Sequence, residues 1–148
     1  MSNAPCKELL LDNQLCFALY STSLMMTKVY KPLLQELGLT YPQYLAMMVL
    51  WEGDGITVGE ISNRLLTDPG SVTPLLKRLE TEGLITRTRS SKDERVVELR
   101  LTEQGRALQE KAKVVPACIV AATERNTEQL GQLKDELVSL RGSLGKAV

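Results

Sequence analysis

A chain of 148 residues with 18 basic and 18 acidic side chains carries no formal net charge. This balance argues against a protein that is basic throughout and binds nucleic acid without specificity, although it allows a local basic patch. Three widely spaced cysteines and no histidine argue against a zinc site, a Cys–His catalytic pair and a secreted disulfide framework.

The first two predicted helices are long and largely apolar. Residues 7–37 form one helical pattern, in which leucine and methionine recur at spacings of three, four and seven. We expect a bend just before Pro32 and a C-cap at Gly38. A second helix, with Thr40 as its N-cap and a proline in its first turn, stays apolar until Gly53 and is predicted to be buried.

Two shorter helices joined by a tight turn follow, which is the spacing of a helix-turn-helix. Thr57 and Glu60 have the spacing of a capping box. Asp68 before Pro69 is an N-cap signal for the next helix, which is predicted to end at Gly83. Its inward stripe is Val72, Leu75, Leu76 and Leu79.

The pattern then alternates, which predicts a β-hairpin with a charged loop from Ser90 to Glu94. A hairpin directly after a helix-turn-helix is a wing. From Thr102 the chain is again helical, with a kink at Pro116, and a last amphipathic helix covers residues 126–141. The predicted fold is mainly α with a small β-wing.

The hairpin and the outward side of the second helix of the helix-turn-helix, which begins at Pro69, carry residues suited to binding DNA. On the helix these are Ser71, Thr73, Pro74, Lys77 and Arg78, and on the hairpin Arg87, Lys92, Asp93 and Arg95. Small hydroxyl residues followed by cations suit a major groove, and an arginine steadied by an aspartate suits a minor groove. A solvated surface is the alternative for either set alone.

Cys16 raises the question of whether it is core filling or a sensor. One helical face carries Cys16, Tyr20, Ser23, Thr27 and Tyr30. A buried, unreactive cysteine is the ordinary interpretation, but a core stripe would not hold so many polar groups. No cation lies within one turn, so a reactive thiolate would need Tyr20, or the helix N-terminus if Asp12 caps it.

Tyr30 lies too far along the helix to help Cys16 in the same chain. Fourteen residues separate the two by roughly 21 Å along a straight helix. A contact therefore requires a partner chain or a helix that folds back.

The run from Asp68 to Gly105, DPGSVTPLLKRLETEGLITRTRSSKDERVVELRLTEQG, resembles the winged-helix core of MarR transcription regulators. The resemblance covers residues 1–148 as a single domain. It implies an intertwined homodimer, with dimerisation helices at about 7–37 and 103–145 and a winged helix-turn-helix at about 40–102. Such a dimer binds a pseudo-palindromic double-stranded DNA operator. Ser71, Thr73, Lys77 and Arg78 would be groove contacts, and Arg95, steadied by Asp93, would enter the minor groove.

The segments DNQLCFALYS, MTKVYKPLL and LTYPQYLAMMVLWE closely resemble the OhrR subgroup, the organic hydroperoxide sensors among MarR proteins. This resemblance implies that an organic hydroperoxide oxidises Cys16 and that oxidation releases the operator. Tyr20, Tyr30 and Tyr41 would hydrogen-bond the reduced thiol, some of them from the other subunit. Some members form a disulfide to a late-helix cysteine of the other subunit, a role open to Cys118. A plain buried cysteine remains the alternative there, and Cys6 is assigned no role.

Two other functions remain open at this point. One is a MarR-type regulator that binds a small lipophilic or phenolic ligand, with Cys16 structural, and the more distant one is a thiol peroxidase. We expect no cofactor and no enzymatic activity. Without an apolar stretch of ~18–20 residues or an export signal, we also expect a cytoplasmic protein with no membrane partner.

Overall fold

The computed structural model describes residues 4–148, and the chain divides into two compact units, one ending at Lys113 and one running from Val114 to Val148. In the first unit the elements are α1 Leu15–Gln35, α2 Tyr41–Glu52, α3 Val58–Arg64, α4 Pro69–Thr81, β1 Ile85–Arg89, β2 Val97–Leu101 and α5 Glu103–Ala112. In the second they are α6 Val115–Thr123 and α7 Thr127–Lys146. The mainly helical fold with a two-stranded wing is confirmed.

The chain before α1 corrects the prediction of a helix from residue 7. It forms two 3-10 turns, Lys7–Leu9 and Leu11–Asn13, and the α-helix begins only at Leu15. The side-chain amide of Gln14 donates to two upstream backbone carbonyl oxygens, at 2.9 and 2.8 Å. Such side-chain bonds compete with helical backbone bonds, which explains the late start.

One expectation about the start of α1 changes. Asp12 lies in the second 3-10 turn and does not cap the helix, because the N-cap position is Gln14. The helix then continues through Pro32 as one element to Gln35.

Helices α1, α3 and α4 end in the same kind of turn, in which a residue of positive φ follows the helix. Gly38 (φ 71°) and Gly83 (φ 79°) occupy this position after α1 and α4, as predicted. After α3 the position is taken by Leu66 with φ 57°. Backbone bonds of 3.0 to 3.2 Å in the Schellman pattern close all three turns.

Helix α2 lies at the centre of the first unit's core, as its apolar sequence predicts. Thr40 caps it in a reciprocal capping box with Gln43. The helix contacts α1, α3, α4, α5 and β2. Its buried apolar residues are Tyr44, Ala46, Met47, Val49 and Leu50. Burying a side chain of the size of valine, leucine or methionine stabilises the fold by about 1.5–3 kcal/mol.

The helix-turn-helix and the hairpin form where the sequence predicts them. The hydroxyl of Thr57 accepts from the backbone N–H of Glu60 at 3.1 Å, and the carboxylate of Asp68 accepts from the N–H of Ser71 at 2.9 Å. Strands β1 and β2 pair antiparallel from Ile85↔Leu101 to Arg89↔Val97.

The base of the hairpin is anchored to the helices beside it. The carboxylate of Asp54 accepts from the backbone N–H of Leu101 at 2.8 Å and from the guanidinium of Arg106 at 3.0 Å. Gly105, in the first turn of α5, lies so close to Leu84 that a Cβ there would clash with the Leu84 carbonyl oxygen. The base of the hairpin is therefore held in a fixed position.

The second unit refines two predictions. The expected kink at Pro116 is a full interruption, because α5 ends at Ala112 and α6 begins at Val115 with Pro116 in its first turn. The last helix extends to Lys146, beyond the predicted end at 141. None of the helices within residues 4–148 combines the length and hydropathy needed to span a bilayer.

Candidate functional site

Helix α4 presents the residues that the sequence nominates for groove contacts. Ser71, Pro74, Lys77 and Arg78 are exposed, and Thr73 is half-buried. Lys77 and Arg78 form no ion pair with any residue in the described part of the chain. Both cations are therefore available to phosphate or to guanine.

The tip of the wing holds its arginine in a defined direction. The Arg95 side chain is 91% exposed, and its Nε lies 3.3 Å from Oδ1 of Asp93. The same carboxylate oxygen accepts from the backbone N–H of Arg95 at 3.0 Å. Lys92 is exposed beside it, and the turn is closed by a 2.8 Å bond from the N–H of Ser90 to the carbonyl of Val96.

Arg87 does not share these surroundings. Its side chain is 28% exposed, and its Nε lies 3.6 Å from the carboxylate of Glu80 on α4. Its Nε and Nη2 are buried without a hydrogen-bond partner in the described chain. The structure therefore places this arginine between the wing and α4, apart from the exposed cations.

Cys16 occupies the second position of α1 and is exposed. Its position in the first turn puts it at the positive end of the helix dipole, without the help of Asp12. Tyr20, one turn further on, is 65% exposed. Neither side chain makes a hydrogen bond with another described residue of the chain, so any partner of the thiol must come from outside it.

Tyr30 and Tyr41, the other two predicted sensor tyrosines, are in contact with each other. Their ring centroids lie 4.9 Å apart, with Tyr30 on α1 and Tyr41 at the start of α2. Tyr44 completes the cluster at 6.0 Å from Tyr30 and 6.5 Å from Tyr41. Sequence reasoning missed Tyr44, although its spacing of three residues from Tyr41 places both on one face of α2.

The three clustered phenols are protonated donors with no acceptor in the part of the chain that the structure describes. Burial, reinforced by Tyr41 and Tyr44, raises the pKa of Tyr30 to about 12. Burial also raises the pKa of Tyr41 and, together with Tyr41, that of Tyr44. Within residues 4–148, none of these hydroxyls donates to another residue of the chain.

The continuity of α1 decides how Cys16 and Tyr30 can meet. Both lie on one unbroken helix, at a separation of roughly 21 Å along its axis. A fold-back of the helix is therefore ruled out, and a contact between the two residues requires a second copy of the chain.

The remaining cysteines are free and exposed. Cys118 lies on α6 in the second unit. Cys6 donates to the carboxylate of Glu8 at 3.0 Å, and this bond lowers the pKa of Glu8.

A helix-turn-helix followed by a hairpin whose tip presents an oriented arginine defines a winged-helix transcription regulator. The family of transcriptional regulators SarA/Rot matches residues 28–112, and the chain belongs to this MarR-like winged-helix family. The organic hydroperoxide resistance transcriptional regulator of Bacillus subtilis is 51% identical over 134 residues, which cover 90% of this chain and 91% of that one.

Solved structures of AbfR, a protein of Staphylococcus epidermidis, are similar in fold. Reduced AbfR bound to DNA matches with a TM-score of 0.80 and 31% identity, covering 95% of this chain and 96% of that one. Overoxidized AbfR bound to DNA matches with a TM-score of 0.75 and 32% identity over 93% and 97% of the two chains. Disulfide-formed AbfR matches with a TM-score of 0.64 and 31% identity over 95% and 93%.

Proposed function

We propose that this protein is a DNA-binding transcriptional repressor that releases its operator when an organic hydroperoxide oxidises Cys16. The observation that carries the proposal is the cluster of protonated phenols at Tyr30 and Tyr41. These phenols have no acceptor among residues 4–148 of their own chain, and a Cys16 thiol can reach Tyr30 only from a second copy. The similarity to the Bacillus subtilis regulator supports the choice of oxidant.

The sensor requires a homodimer, and the surface of the chain supports one. The first half of α1 exposes a run of large apolar side chains that a soluble monomer would not leave in water. These are Leu15, Phe17, Leu19, Leu24, Met25 and Met26. A two-fold dimer that covers this surface also presents two copies of α4 to a pseudo-palindromic operator, whose successive major grooves lie about 34 Å apart.

The DNA-binding part of the proposal assigns α4 to the major groove and the wing to the minor groove. Lys77 and Arg78 supply unpaired cations, and Ser71 and Thr73 supply hydroxyl oxygens near the N-terminus of the helix. Arg95, aimed by Asp93, supplies the minor-groove contact. The DNA complexes of AbfR support DNA as the partner.

The chemical step is a two-electron oxidation of sulfur. The Cys16 thiolate attacks the hydroxyl oxygen of the hydroperoxide, the O–O bond breaks, and the alkoxide leaves and takes up a proton as the alcohol. The product is a sulfenic acid on Cys16. The Cys118 thiol of the partner subunit then attacks this sulfur, a disulfide forms and water leaves. Oxidation removes the thiolate that accepts from the phenols.

We assign the release of DNA to the disulfide rather than to the first oxygen transfer. AbfR has been solved on DNA in both the reduced and the overoxidized form, so an oxidised form of that relative is compatible with a DNA-bound state. A disulfide also forms in AbfR. A covalent bond between the subunits fixes their relative position. The loss of a few hydrogen bonds affects that position far less.

The deciding experiment is a gel shift of operator DNA with and without cumene hydroperoxide. We expect the wild-type protein to lose binding on oxidation, and Cys16→Ser to bind in both conditions. A Cys16→Ser protein that still responds to the peroxide would favour a ligand-responsive regulator. Peroxide consumption far above one equivalent per chain would favour an enzyme.

The role of Cys118 is tested on the same samples by nonreducing electrophoresis. Wild-type protein should run as a covalent dimer after oxidation, and Cys118→Ser should not. Cys6→Ser is the matched control and should behave as wild type. A covalent dimer in Cys118→Ser would end the assignment of this cysteine.

A further inference from the structure

Tyr44 has a place in the tyrosine cluster that Tyr30 and Tyr41 do not share. It is 3% exposed, whereas the other two rings are half-buried. Its ring lies 6.0 Å from Tyr30 and 6.5 Å from Tyr41, so it packs against both. Tyr30 and Tyr41 can therefore turn their hydroxyls to a partner subunit while Tyr44 fills the space behind them.

Tyr44 is in turn held from the other side by Trp51. The two ring centroids are 6.5 Å apart with an interplanar angle of 73°, an edge-to-face contact. This geometry is favourable for aromatic pairs and fixes the orientation of both rings. Seven residues separate them on α2, so they lie on the same face of the helix.

Trp51 connects this cluster to the base of the hairpin. Its indole N–H donates to the carbonyl oxygen of Gly105 at 2.9 Å. Gly105 is packed directly against the backbone of Leu84, at the entrance to β1. Contacts therefore run without a gap from Tyr30 and Tyr41, through Tyr44 and Trp51, to the hairpin.

We infer that Tyr44 is a positioning residue of the sensor: its ring, and not its hydroxyl, orients Tyr30 and Tyr41 toward the partner's thiolate and couples them to Trp51. This inference rests on the proposed function. A phenol donates well only when its direction is fixed, and half-buried rings without a neighbour behind them would turn. When oxidation removes the acceptor, Tyr30 and Tyr41 reorient, and Tyr44 moves against Trp51.

The first test separates the ring from the hydroxyl at position 44. It uses the full-length dimer carrying Cys6→Ser and Cys118→Ser, in which Cys16 is the sole thiol. The measured quantity is the rate at which the Cys16 thiol is lost under cumene hydroperoxide. Tyr44→Phe keeps the ring and should react within about twofold of its parent. Tyr44→Leu loses the ring and should react at least about tenfold more slowly, the effect expected when a hydrogen bond to a charged group is lost.

Two outcomes of this test would overturn the inference. Equal slowing in Tyr44→Phe and Tyr44→Leu would mean that the Tyr44 hydroxyl itself acts on the thiolate. A parental rate in Tyr44→Leu would mean that other contacts position the two phenols. Operator binding by the reduced proteins, measured in parallel, shows that both variants are folded.

The second test uses Trp51, the one tryptophan in the sequence, as a reporter in the wild-type protein. We expect its fluorescence to change when Cys16 is oxidised, and to stay constant in Cys16→Ser under the same peroxide. A constant signal in oxidised wild-type protein would overturn the link to Trp51, whether or not Tyr44→Leu folds. If Cys16 does not react at all in the parent protein, it is the proposed function that fails instead.

Discussion

At the scale of single residues, two arginines of the wing that look equivalent in the sequence occupy different surroundings. Arg95 projects from the hairpin tip, with 91% of its side chain exposed. Arg87 lies beside Glu80 of α4, and two of its nitrogens are buried without a hydrogen-bond partner in the described chain. The sequence predicts that Arg87 lies on a strand and Arg95 at the hairpin tip, but it cannot show that Arg87 packs beside an acidic residue of α4.

This difference predicts different salt dependences of DNA binding. Arg95→Ala should weaken operator binding and lower the slope of log affinity against log salt by about one for each protomer. Arg87→Ala should weaken binding with the slope unchanged, since its partner is Glu80. Fluorescence anisotropy titrations from low to physiological salt measure both. An equal fall in slope for Arg87→Ala would show that this residue also displaces counterions from the DNA.

The raised pKa of Tyr30 predicts a fall of stability at high pH. The unfolded chain loses the phenolic proton near pH 10, whereas the folded protein holds it to about 12. The contribution of this group to the free energy of unfolding should therefore be constant below pH 10 and fall between pH 10 and pH 12. Urea titrations across this range should show a smaller fall in Tyr30→Phe. An equally steep fall in that variant would contradict the assignment.

At the scale of secondary-structure elements, the sequence predicts best what is decided locally. The caps at Thr40, Thr57 and Asp68 were predictable because each depends on a residue three positions away. The start of α1 was not, because Gln14 replaces helical bonds with contacts to its own upstream backbone. Periodicity does not reveal a side chain that competes for the backbone.

The turn after α3 predicts a stabilising substitution. Leu66 occupies the left-handed region at φ 57°, which strains its backbone, and it is 65% exposed. Burial of its side chain therefore does little to offset this strain. Leu66→Asn should raise the free energy of unfolding by about 0.5–1 kcal/mol, because asparagine tolerates this conformation. Thermal unfolding followed by circular dichroism measures the gain. Leu66→Val, which tolerates the conformation less well, is the matched control and should lower stability.

At the scale of the whole molecule, the sensor could be predicted in part. Cys16, Tyr30 and Tyr41 stand out through the resemblance to hydroperoxide sensors, and the unbroken α1 adds the requirement for a second copy. Tyr44 could not be assigned from the sequence, since a tyrosine on an apolar helix is ordinary core. Only the ring contacts of the folded chain distinguish it.

The exposed apolar surface of α1 predicts the effect of a charge placed on it. Leu24 is 49% exposed in the single chain, and Leu24→Lys should dissociate the dimer and abolish operator binding. Sedimentation velocity measures the mass. Leu66→Lys is the matched control at a leucine that is 65% exposed in the turn after α3, and it should remain dimeric. A dimeric Leu24→Lys would place the interface elsewhere.

Because α1 is one uninterrupted rod, a two-fold pair would assemble each of its two sensors from both subunits. A chain with Cys16→Ser and a chain with Tyr30→Phe and Tyr41→Phe should each be defective as homodimers. Mixed together, they would form heterodimers in which one sensor is wholly intact and the other is doubly impaired. Peroxide responsiveness should therefore reappear in the mixture, a case of intersubunit complementation that a sensor confined to one polypeptide could not produce.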